Sequence, residues 1–226
     1  MKKESSFDGE YPYYHVFNRG VEKRDIFLND SEYKRFLFLL FILQGDTFFN
    51  HVSRLATAFG QHSMLAIEDI KNEITRARIV ELVAFVLMPN HFHLILRELE
   101  SGGVSKFMQR LGNSYTKYFN IKHDLKGHLF GSRFHSRLID TNEYLLHLSS
   151  YIHRNPRELP AWKNKEHLYP GSSFQDYIKE NRWGSFLNQA IILDQFQNPQ
   201  EYWDFVKTST AKLSDEALAE MVNIEC

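Results

Sequence analysis

The chain has 226 residues, 43% of them hydrophobic, which is enough for one globular core of ordinary size. Its 27 basic side chains meet 28 acidic ones, and the net charge of -1 excludes a protein that coats duplex nucleic acid by bulk attraction. No apolar run is long enough to span a bilayer, the opening MKKESSFDGEYPYY lacks the apolar stretch of a secretory signal, and Cys226 has no second thiol to pair with. A cytoplasmic protein is expected, and any metal in it has to be held by His, Asn or carboxylates.

In chain order, Tyr13 to Arg19 (YYHVFNR) reads as a first strand, because aromatic and β-branched residues run up to the break at Asn18, Arg19 and Gly20. Ser31 then caps a helix to about Leu43, with Phe36, Leu37, Leu40 and Phe41 at helical spacing. From Gln44 to Arg78 only a helix near Ile67 to Ala77 is legible, and nothing there resembles chemistry. Ile79 to Leu87 and Phe92 to Arg97 form two β-prone runs around Pro89 and Asn90, the pattern of an antiparallel hairpin.

Gly102 and Gly103 break the chain before a helix from about Val104 to Asn120, whose Phe107, Leu111, Tyr115 and Tyr118 share an apolar face. On another face Lys106, Arg110, Asn113 and Lys117 make a polar, mostly basic stripe. Seven basic residues lie between Val104 and Arg137, opposed only by Asp124, which suits either a groove for a nucleic-acid backbone or a solvated helix face with a basic loop. Lys126 to Ile139 leads into a short strand, and Thr141 or Asn142 caps a helix to about Arg154, where Pro156 stops it. A further helix is expected around Trp183 to Phe196.

Two motifs carry chemistry. In a strand, His91 and His93 point to one face and can offer two imidazoles to one cation, while Phe92 enters the core. In a helix, Tyr151 and Asn155 lie one turn apart, so an amide oxygen that completes a hard cation's shell stands beside a phenol within reach of a phosphate. Taken singly, each motif is also met as surface histidines or as a packed Tyr with a helix-capping Asn. His147, one turn before Tyr151, either lines the same site or makes a structural hydrogen bond.

The ordered blocks YYHVFNRGVEKRDIF, LMPNHFHLIL, SYTKYFN, GHLFGSRFHSRLID and YLLHLSSYIHRNP together resemble the Y1 (HUH) tyrosine transposase family, IS200-like, and within it the REP-associated tyrosine transposases. The likeness runs from Tyr13 to Pro160, with a weaker echo in SSFQDY. It implies an α+β fold: a central antiparallel β-sheet flanked by helices, an HUH endonuclease (ferredoxin/RRM-like) core with a mainly helical C-terminal extension. Residues 1–160 would form the catalytic domain, with an insertion at about 44–78 that alters the mouth of the site, and 161–226 the extension.

The resemblance further implies that His91, His93 and Asn155 bind a divalent metal, Mg2+ or Mn2+, and that Tyr151 is the nucleophile. Cleavage would leave a 5′-phosphotyrosine on single-stranded DNA that carries a hairpin. Lys106, Arg110, Lys117, Arg133, Arg137 and Arg19 are the expected DNA contacts, and His135 stands where a Lys is more usual. Such a protein acts as a monomer or a dimer, without a membrane. Two other functions keep the same residues: a domesticated, non-catalytic single-strand nucleic-acid-binding protein, and a metal-dependent phosphoesterase that uses water in place of Tyr151.

Overall fold

A computed structural model describes residues 11–47 and 49–210. Cys226 and the first ten residues, on which the disulfide and secretion expectations rest, lie outside the described residues. Four antiparallel strands form the central sheet: β1 Tyr13–Arg19, β2 Val80–Met88, β3 His91–Glu98 and β4 His135–Ile139, in the order β2-β3-β1-β4. The helices are α1 Asp30–Ile42, α2 Val52–His62, α3 Glu68–Arg76, α4 Gly103–His123, α5 Asn142–Arg154, α6 Phe174–Ile178, α7 Ala190–Leu193 and α8 Pro199–Thr208. The expected α+β architecture, an antiparallel sheet with flanking helices, is the one observed. None of these helices is long and apolar enough to cross a membrane.

Alternation along the strands divides the core into two layers. Phe92, Leu94 and Leu96 of β3 pack with Phe36 of α1 and Phe107, Leu111, Tyr115 and Phe119 of α4 on one face. Ile95 of β3 packs with Leu145, Leu148 and Ile152 of α5 on the other, together with Phe174, Tyr177 and Tyr202. This second layer continues into the C-terminal part of the chain, which also closes one sheet edge: Leu87 N donates to Gly171 O at 2.7 Å, and Ser173 Oγ takes the Phe85 amide at 2.9 Å.

α1 begins one residue before the expected cap, and its residues from Phe36 to Ile42 are buried all round. The extra burial comes from the stretch after it. α2, which was not expected, sets Phe59 against Phe38, Phe41 and Trp183. Residues 52–62 therefore pack on α1, and Phe59, Gly60 and Gln61 at the end of α2 line a cleft with Pro89 and Leu159. The helix expected over Trp183 to Phe196 is also absent. A 3-10 turn, Gly184–Phe186, and the short α7 stand there instead, because Leu187 between them is extended, at φ -126° and ψ 104°, which interrupts a continuous helix.

Candidate active site

The β2–β3 turn is held from outside. Pro89 O accepts the amides of Ile26 and Phe27 at 2.7 and 3.0 Å, and Gly20 N donates to Asn90 O at 2.9 Å. A Cβ on Gly20 would sit 2.2 Å from Arg24 O, so only glycine lets the chain after β1 fold back this closely. At the tip, Asn90 Nδ2 donates to Lys23 O at 3.2 Å, which fixes the amide so that its Oδ1 faces His91. His91 Nδ1 then donates to that oxygen at 2.6 Å, and a neutral His91 keeps its lone pair on Nε2.

β3 turns His91 and His93 toward α5, and both are nearly buried, at 7% and 2% exposure. Phe92 enters the opposite layer as expected. α5 starts where the Thr141 side chain accepts from Tyr144 N at 3.1 Å, a side-chain cap on the first turn. It packs Leu145, Leu148 and Ile152 inward and ends as Asn155 and Pro156 open a 3-10 turn. One helical turn separates the two site residues on it, and each meets one histidine. Tyr151 Oη lies 3.4 Å from His93 Nε2, with the rings edge to face at 5.2 Å. Asn155 Oδ1 lies 3.2 Å from His91 Nε2.

The second contact is between two acceptors. An amide oxygen and an imidazole lone pair do not bond to each other, but both can bond to one cation between them. Adjacent donors on an octahedral ion with bonds of about 2.1 Å stand roughly 3 Å apart, which the observed contact matches. The Asn155 amide is 3% exposed, and its Nδ2 has no hydrogen-bond partner, so it is held for what its oxygen does. Two imidazole nitrogens and one amide oxygen therefore fit a divalent ion. Among the described residues no group of three or more His, Cys, Asp or Glu could hold a metal, and this set is of another kind because its third member is Asn.

His15 was not singled out by the sequence. It lies in β1 on the same face as Phe17, which is paired with His93, and its Nε2 is 3.0 Å from His93 Nδ1. Burial, with help from Arg137, holds His15 down to about 3, and burial followed by His15, His91 and Arg19 holds His93 well below the usual histidine range. Both rings are neutral at physiological pH. Period-two alternation places His15, Phe17 and Arg19 together, but nothing in the sequence says which strand they would face.

The six expected DNA contacts fall into two groups. Arg19 is paired in register with His91 and Arg137 with His15, which sets these two beside the histidines, and Arg133 is exposed in the loop before β4. Arg137 also stacks over Tyr144, 4.4 Å from the ring. The α4 stripe is on the other layer. Lys106 pairs with Asp46 at 2.6 Å, Arg110 donates to the carbonyls of Gly45 and Thr47 at 2.8 and 3.1 Å, and Lys117 is exposed.

His135 contacts Ser132 Oγ at 3.0 Å and is held below its ordinary value by burial. His147, one turn before Tyr151 on α5, is exposed. Tyr115 is fully buried and donates to Ile26 O at 2.6 Å, and its neighbour Tyr118 is partly buried against the same core, as their apolar face implied.

Residues 53–155 match the model of a family described as Transposase IS200 like. This matched segment, under half of the chain, is similar to the IS200-like transposases and holds His91, His93, Tyr151 and Asn155. A solved REP-associated tyrosine transposase bound to a REP hairpin is similar to the chain, with a TM-score of 0.48 and 17% identity over 82% of this chain and 92% of that one. No curated protein matches.

Proposed function

We propose that the chain is a metal-dependent single-strand DNA transposase that cuts and rejoins DNA through Tyr151, on substrates that carry a hairpin. The observation that carries this reading is the double pairing of α5 with β3, Tyr151 on His93 and Asn155 on His91. His91, His93 and Asn155 would hold the metal, and a bound Mg2+ or Mn2+ ion would supply Lewis-acid polarisation of the scissile phosphate. Arg19, Arg133 and Arg137 would draw the phosphate backbone to this face, and the α4 stripe of Lys106, Arg110 and Lys117 would add to the basic surface.

Tyr151 then attacks phosphorus. The Tyr151 Oη–P bond forms as the P–O3′ bond breaks, the phenol gives up its proton and the departing 3′ oxygen gains one. The strand's 5′ phosphate stays on the tyrosine, and attack by another 3′-hydroxyl reverses these bond changes and rejoins DNA. Residues 1–160 would make the catalytic domain and 161–226 its packed extension. The protein would meet DNA in the cytoplasm, as a monomer or dimer.

Incubating a hairpin-bearing single strand with enzyme and Mn2+, denaturing, and mapping the DNA-linked peptide tests the reading. An adduct on Tyr151, lost in Tyr151→Phe while binding persists, is expected. An adduct on Tyr115 or Tyr118 overturns the assignment. Cleavage by Tyr151→Phe without any adduct identifies a water-using phosphoesterase, and tight binding without cleavage identifies a domesticated binding protein.

A further inference from the structure

We propose that His15 is a positioning residue whose Nε2 accepts the Nδ1 proton of His93 and so turns the His93 Nε2 lone pair toward the cation. This rests on the metal-site reading above. The geometry is that of a built contact. The two imidazoles come from neighbouring strands, their rings lie 5.2 Å apart at 23°, their nitrogens are 3.0 Å apart, and they are 0% and 2% exposed.

Two neutral rings hold one N–H each, so a hydrogen bond between His15 Nε2 and His93 Nδ1 contains a single proton with two possible owners. If His15 owns it, His93 carries its own proton on Nε2, donates toward the Tyr151 hydroxyl 3.4 Å away, and has no lone pair for a metal. If His93 owns it on Nδ1, Nε2 is a ligand. A metal-bound imidazole needs its far nitrogen protonated and held by an acceptor, and removing such an acceptor typically costs 10–100-fold in metal affinity.

The two histidines of the motif receive this support differently. His91 is served by the Asn90 oxygen, which can only accept. His93 is served by a second imidazole that can accept or donate. With Nε2 accepting, His15 carries its own proton on Nδ1, which is buried with no partner, a cost to the fold that core packing alone does not call for. A phenylalanine would fill the same space without it.

The test uses the full chain without DNA. Mn2+ affinity is titrated by electron paramagnetic resonance for the wild type, His15→Phe and His15→Gln, and imidazole 15N shifts report the His93 tautomer in the metal-free wild type. His15→Phe is expected to bind Mn2+ about 10–100-fold more weakly. His15→Gln, whose carboxamide oxygen can reach toward the Nε2 position, is expected to restore most of the affinity. In the wild type, His93 should carry its proton on Nδ1.

Equal Mn2+ affinity in the wild type and a folded His15→Phe overturns the role of His15 and leaves the metal site standing. Failure of the wild type to bind Mn2+ overturns both. Should His15→Phe not fold, the tautomer decides: a His93 proton on Nε2 in the metal-free wild type overturns the proposal, because His15 then does not hold the Nδ1 proton.

Discussion

On the face of the sheet covered by α1 and α4, β3 presents Phe92, Leu94 and Leu96 to an aromatic core, whereas on the face covered by α5 the same strand presents His91, His93 and Ile95. The first face is held by shape: Phe36 meets Phe92 at 5.1 Å between ring centroids and Tyr115 edge-on at 4.9 Å. The second is held by directed contacts: Asn90 holds His91, and His15 and Tyr151 meet His93 from two sides. One strand thus serves both purposes because alternate residues never compete for the same space. The packed face gives the polar face a rigid backing, which donors for a small ion require.

The contrast breaks most visibly in stability. Phe92→Ala should cost about 3–5 kcal/mol in urea unfolding, since a buried ring is removed from a layer that cannot collapse around it. His91→Ala should cost clearly less and remove Mn2+-dependent cleavage. A comparable loss of stability in the two variants would show that the site face carries the fold as well.

Acid sharpens the comparison next. His153, behind the site, is buried between Tyr202 Oη at 2.6 Å and Ser173 Oγ at 2.9 Å, and burial holds it neutral down to about 3. An unfolded imidazole takes up its proton near 6.5, so the unfolded chain binds more protons between these values. Stability that is complete above pH 6.5 should fall as pH drops toward 3, by up to about 1.4 kcal/mol per pH unit from this group. A folded His153→Gln variant should show a shallower fall in denaturation curves taken across that interval. An unchanged pH slope would remove His153 from the account.

The smallest effect concerns charge. Arg19→Ala and Arg137→Ala should each weaken single-strand binding and lower the salt slope by about one. Lys106→Ala and Arg110→Ala should change affinity less, because both cations are already engaged by residues 45–47 on the opposite layer. Equal effects from the two pairs would extend the DNA surface around the edge of the sheet to α4.

The strands and α5 were legible because their signals are local: alternation in YYHVFNR, Pro89 and Asn90 between two β-prone runs, and Thr141 before an amphipathic run that Pro156 ends. His91, His93, Tyr151 and Asn155 could be grouped for the same reason, since spacing of two in a strand and four in a helix puts each pair on one face. Which pair meets which is a tertiary fact. His15, Asp46 and His153 became meaningful only through partners that are 78, 60 and 49 residues away. α2 carries Val52, Leu55, Ala56 and Phe59 at helical spacing, a local signal that was passed over, and the expected helix after Trp183 failed on the extended backbone of Leu187.

The clamp on His153 has a consequence for the order in which the chain is made. A nascent chain extended only to Asn155 already contains His91, His93, Tyr151 and Asn155, but neither Ser173 nor Tyr202, which grip α5 from behind. It also lacks Gly171 and Tyr177, whose bonds to Leu87 and Val83 cover the β2 edge. While synthesis continues, that edge offers unpaired amides to any strand nearby. The site is therefore finished by its most distant sequence neighbours, and a truncated translation product would hold every reacting group without the frame that aligns them.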